Sequence, residues 1–198
     1  MPKSITNLNI GDKIKFGKYQ VETETPQDII WKVADKNHTG YPANSITLLT
    51  EKIIDLRAFD AKEPSNSDTN RQNAGNNRYL YSNIRQWLNK SNYPWYIAQH
   101  NADVAPTDSA TNSYGTGYDG HAGFLKDFTA SELGKILDTT LTVAKNTVTD
   151  GGGSETVTDK AFLLSNTEVG LANENSIVEG SLLPLFSNDA SRINYLTQ

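Results

Sequence analysis

The chain has 198 residues, 36% of them hydrophobic and 21% charged, enough to bury a core without covalent staples. Its net charge is −5 and its cations are scattered singly, which argues against the basic stripe that nucleic-acid binding requires. With no cysteine, disulfides, thiolate nucleophiles and cysteine-ligated metals are excluded.

Ile10–Tyr19 reads as a turn and short strand: Ile14 and Phe16 alternate with lysines, and Gly17 ends the run. Ile29–Asp35 (IIWKVAD) and Ile46–Leu49 read as further strands, separated by the polar loop Asn37–Asn44. Ile53–Phe59 has mixed period and fits a strand or a short helix. Asp60–Arg78 is a long polar loop almost without apolar residues, a length that marks either function or disorder. Ser82–Leu88 is expected to be a short helix, N-capped by Ser82, with Ile84, Trp87 and Leu88 on one face.

His100–Phe124 is a second irregular stretch, rich in Asp, Ser, Asn, Gly and Tyr. Thr129–Leu137 is the clearest helix, with a Thr129/Glu132 capping box, a Phe128–Leu133 staple and Leu133, Ile136 and Leu137 on the buried face. Thr140–Asn146 and Glu155–Leu164 form the arms of a hairpin whose tip is Asp150–Ser154 (DGGGS). Ser165–Glu168 (SNTE) is a second capping box, opening a short helix toward Leu171. The remainder is irregular, with an apolar patch at Leu182–Phe186. The expected fold is α+β, one domain over residues 1–198, with short twisted antiparallel strands, two or three short helices and long loops.

The chemistry on offer favours binding over catalysis. His38, His100 and His121 sit in loops without metal-ligand spacing and read as surface residues. No G-x-S-x-G elbow is present, and Gly115, Gly117 and Gly120 lack the strand-to-helix context of a phosphate cradle. Asp103, Asp108 and Asp119, with Asp127 nearby, supply oxygen ligands of the kind Ca²⁺ takes, though solvated loop carboxylates are the better explanation of them. Trp95, Tyr96, Tyr114 and Tyr118, beside Asn112, offer ring faces and oriented polar groups for a sugar, with Tyr114 and Tyr118 the expected exposed pair.

Tyr79–Asn89 (YLYSNIRQWLN) and Asp159–Ser165 (DKAFLLS) form a paired signature. Around it, FGKY, IIWKVAD, SITLLTEKIIDLRAFD, DKAFLLSNTEVG and LPLFSNDASRINY follow in fixed order between Ile10 and Tyr195. This order resembles an uncharacterised domain family of Gram-positive phage structural proteins and bacterial surface proteins, itself similar to the C-type-lectin-like fold shared with formylglycine-generating enzymes. The resemblance implies a lectin-like core, Ca²⁺ as an optional cofactor held in long loops, and no formylglycine-generating activity, since the cysteines for it are absent.

It implies a non-enzymatic phage virion protein of the tail tip, baseplate or particle surface. Such a protein presents residues 60–78 and 100–124 for receptor binding to a host cell-surface glycan or protein. Similar proteins continue past the SRINY segment into closing strands, so the domain is either incomplete at its C-terminus, completed by another chain, or differently ended; an exposed sheet edge would favour an oligomer or pairing with other virion proteins. A purely structural assembly protein and a cell-wall glycan hydrolase are the alternatives. The N-terminus MPKSITNLNIGDKIKFG lacks the apolar stretch of a signal peptide, and no run spans a bilayer. The expected location is therefore a virion assembled in the bacterial cytoplasm, with no membrane and no nucleic-acid contact.

Overall fold

The computed structural model describes residues 7–20, 25–111, 117–172 and 176–193. Among them the architecture is α+β: two small antiparallel sheets, three short helices and extensive loops. Strands β1 (Lys13–Tyr19), β2 (Gln27–Lys36) and β3 (Ile46–Thr50) form one sheet with β2 in the centre. Helices α1 (Thr69–Ala74), α2 (Asn83–Leu88) and α3 (Ala130–Leu133) follow. Strands β4 (Thr139–Ala144) and β5 (Ser154–Asp159) pair as a separate hairpin in register Thr139↔Asp159 to Ala144↔Ser154. No helix of the described residues is long and apolar enough to cross a membrane.

Two irregularities in the first sheet direct the packing. Between Lys15 and Lys18 the β1–β2 register shifts, and Gly17 occupies the irregularity at φ +68°. A Cβ there would stand 2.2 Å from the Phe128 ring, so only glycine lets that ring reach the strand backbone. The freed Gly17 N–H donates to Glu132 Oε1 at 2.9 Å, tying β1 to α3. The second shift falls between Val33 and Asp35 of β2. It breaks strict alternation, so that Val33 and Ala34 are both fully buried, and the Ala34 carbonyl accepts from Leu185 N.

The main core is aromatic. Ile29 of β2 and Ile84 and Trp87 of α2 pack with Trp95, Tyr118, Phe124, Leu125 and Phe128. A second cluster joins Ala34 to Leu183 and Phe186, and a third lies under the hairpin on Leu141, Val143 and Val157.

Several sequence expectations need correction. Ile53–Phe59 is neither strand nor helix; beyond a bridge at Ile53 it is irregular, because the Asp55 carboxylate takes the Leu56 N–H and the Arg57 guanidinium. The 60–78 segment contains α1, N-capped by Asp68, whose Oδ1 accepts from Arg71 N. The expected Thr129–Leu137 helix keeps its capping box but closes at Gly134, leaving Leu137 exposed. The Ser165/Glu168 reciprocal bonds form, yet they close a turn and open no helix. The Leu182–Phe186 patch is half interior: Leu183 and Phe186 are buried, while Leu182 is exposed.

Candidate functional site

Asp60 organises the first long loop. Its Oδ2 accepts from Asn76 N at 2.7 Å and its Oδ1 from Asn83 N at 2.9 Å. The loop therefore closes on the N-terminus of α2. Asn83, itself fully buried, accepts from Ala61 N and donates to Asp103 Oδ1 at 3.2 Å, and Asp103 Oδ2 accepts from Gln99 N. Glu63 has no solvent exposure; its carboxylate meets Asn66 Nδ2 and, at 2.9 Å, His100 Nε2. Lys62 N donates to Ala110 O at 2.9 Å. The two long polar loops are thus laced into one surface over a buried acidic network.

Burial pushes the Asp60 carboxyl up to about 7, and the neighbouring Asp103 and Glu63 charges act in the same direction; the bonds from Asn76 and Asn83 oppose them only in part. Burial, followed by the nearby Asp103 carboxylate, raises the Tyr96 phenol.

A cleft of about 300 Å³ opens between α1 and the tip of the β4–β5 hairpin. Arg71 of its lining is tied to the hairpin tip, although its buried Nε has no hydrogen-bond partner among the described residues, and Arg78 pairs alongside, beyond the lining. Arg71 Nη2 donates to Asp150 Oδ2 at 2.7 Å and to Thr149 Oγ1 at 3.0 Å. Arg78 Nε donates to Glu155 Oε1 at 2.7 Å, its Nη1 lies 3.6 Å from Asp150, and its guanidinium covers the Tyr81 ring at 4.6 Å. Burial alone would raise the Asp150 carboxyl, but the Arg71 hydrogen bond and both guanidinium charges bring it below its usual value. Sequence reasoning missed these pairs because Arg71 and Asp150 lie far apart in the chain with no motif to link them.

A second cleft, about 220 Å³, is bordered by Tyr19, Arg57, Trp87 and the segment from Gly120 to Asp127. Arg57 lies over the Trp87 and Tyr118 rings at 5.9 and 5.6 Å and pairs with Asp55 at 2.7 Å. Asp55 also receives the Tyr19 hydroxyl. The Arg57 charge is therefore engaged internally.

The residues expected from sequence are placed differently. Tyr118 is fully buried; its ring stacks on Trp95 at 5.4 Å and its hydroxyl donates to Ala58 O at 2.7 Å. Trp95 is equally buried and donates from Nε1 to Tyr118 O. Both rings belong to the core, which corrects the expectation of Tyr118 as an exposed platform. Tyr96 is half-buried, edge-on to Trp95. Asn112 and Tyr114 lie outside the described residues. Asp103 is committed to Asn83 and Gln99, Asp108 accepts from Gly117 N at 2.6 Å, and Asp119 is half-buried. Among the described residues no three His, Asp or Glu side chains converge to hold a metal ion. Of the histidines only His121 is a surface residue: His38 is buried with Nδ1 2.7 Å from Asp35 Oδ2, and His100 leans on Glu63.

No curated protein and no solved structure matches the chain. Residues 44–198 match a domain of unknown function (DUF6273), a span that contains both clefts' helical walls, the hairpin and the whole acidic network. The chain therefore belongs to the DUF6273 family.

Proposed function

We propose that the protein is a non-enzymatic component of a phage particle, at the tail tip, in the baseplate or as a surface decoration. Its lectin-like scaffold presents loops 60–78 and 100–124 to a glycan or protein on the host cell. It is made in the bacterial cytoplasm and works in the virion, in an oligomer or against other virion proteins, without nucleic-acid or membrane contact. The resemblance to Gram-positive phage structural and surface domains motivates this reading. The observation that carries it is the lacing of the two polar loops through Lys62–Ala110, Glu63–His100 and Asn83–Asp103. Loops that served only as connections would not need buried carboxylates to fix them.

The test is binding of the fluorescently labelled chain to Gram-positive cells, with and without EDTA. Saturable binding that follows a swap of loop 60–78 supports the reading. A folded chain that binds no cell surface defeats it. A second reading, structural assembly within the particle, is favoured by the exposed apolar side chains Leu171, Val178, Leu182 and Ile193 in the C-terminal segment. A monodisperse monomer at high concentration would count against assembly.

A further inference from the structure

We propose that the cleft between α1 and the hairpin tip takes one residue of an uncharged, hydroxyl-rich saccharide. The inference rests on the surface-binding reading above and names the ligand class and subsite for it.

Charge comes first. The charge of Arg71, the one cation in the lining, is compensated in place by Asp150, so the cleft offers no uncompensated cation to recruit a phosphate or carboxylate. Asp68, the remaining ionisable group at the edge, caps α1 through Arg71 N and repels anions. A cationic ligand would have to compete with the Arg71 and Arg78 guanidiniums for Asp150. A neutral ligand meets neither obstacle.

The hydrogen-bonding chemistry fits the same class. Asn70, Asn77 and Asn146 line the cleft, and an amide offers donor and acceptor side by side, matching a pair of adjacent hydroxyls. Asn146 Oδ1 is taken by Val148 N and Thr149 N, which orients its Nδ2 as a donor. Asn77 Oδ1 accepts weakly from Arg71 at 3.5 Å. Asn70 is exposed. The Val148 side chain is 89% exposed on the tip and lies with Ala74 in the lining, supplying the apolar surface that the C–H face of a sugar ring needs. The cleft's volume, about 300 Å³, is at the small end of ligand sites, enough for one or two sugar rings. The buried ion pairs beneath hold both walls, so little ordering cost accompanies binding.

The experiment follows the Asn side-chain amide signals of the full chain by NMR during titration with chitotetraose, maltotetraose and a galactose tetramer, with glycerol phosphate as the charged probe. Cell binding is measured in parallel. The expected result is that at least one neutral oligosaccharide shifts Asn70, Asn77 and Asn146, and that its affinity changes less than about twofold between low and high salt. Asn70→Ala and Val148→Asp, both at exposed positions, are expected to weaken it by about tenfold or more without lowering the melting temperature.

Shifts confined to other residues, a response to glycerol phosphate at the cleft, or full binding by both variants overturns the proposal. So does the absence of any amide shift with the three neutral probes. If cells are still bound in those cases, only the subsite fails and the surface-binding reading stands. If cells are not bound while the amides shift, that reading fails and the saccharide site stands.

Discussion

At Asp60 a carboxylate replaces solvent for two backbone N–H groups that the chain could not otherwise satisfy. Asp60→Ala leaves both buried donors unpaired, and a loss of about 2–4 kcal/mol in urea unfolding is expected. The same residue sets a pH dependence. Its carboxyl is raised from 3.8 to about 7 in the folded chain, so the folded state binds a proton that the unfolded state lacks across that interval. Stability should therefore fall as pH rises from about 4 to about 7, by up to roughly 1.4 kcal/mol per unit from this group, with the full penalty present above about pH 7. Burial raises Asp159 as well, acting with the same sign. Melting curves of the wild type and Asp60→Asn across this range test it: the variant should lose most of the slope, and parallel curves would refute the assignment. Gly17 makes a steric case of equal clarity. Gly17→Ala puts a methyl into the Phe128 ring at positive φ, for an expected loss of about 3 kcal/mol.

Elements whose signals are local were legible in the sequence. Ser82 caps α2, the Thr129/Glu132 box caps α3, and the first sheet and the first hairpin arm fall within a few residues of where alternation and turn formers put them, while the second arm, expected over Glu155–Leu164, stops at Asp159. What failed was set by distant partners. Helix α1 has no apolar face and no buried residue; it exists because Asp68 caps it and Arg71 is anchored on the hairpin tip. The 165–168 box had a correct capping signature, but Glu168 is also claimed by the Tyr41 hydroxyl and the segment stays a turn. The coupling of α1 to the hairpin gives a direct prediction. Asp150→Ala strands the half-buried Arg71, and removing one partner of such a pair costs about 3 kcal/mol. Hydrogen exchange should then accelerate at residues 69–75 and 145–153 together. Acceleration at the hairpin tip alone would show that α1 stands without its anchor.

On the scale of the molecule the site was only partly legible. Composition marked 60–78 and 100–124 as the unusual segments, but Trp95 and Tyr118, expected to face a ligand, proved to be part of the core that supports them. An aromatic residue beside glycine and asparagine carries no mark of which side of the surface it occupies; Tyr118 is decided by its stacking on Trp95. The family boundary raises a related question. The matched span begins at residue 44, yet among the described residues β3 finds its only strand partner in β2, and the main core takes Ile29 from β2 with Phe16, Tyr19 and Trp31 packed against it. The second cluster likewise closes on Ala34. A fragment of residues 44–198 would thus expose an unpaired edge at β3 and an aromatic surface meant for the first two strands. Expressed alone, it is expected to lack cooperative thermal unfolding and dispersed amide resonances, whereas the full chain shows both. Adding a peptide of residues 7–43 should restore some of the dispersion. A fragment that melts as sharply as the full chain would mean that the β4–β5 hairpin, the helices and their loops form a self-sufficient unit, with the first two strands merely docked upon it.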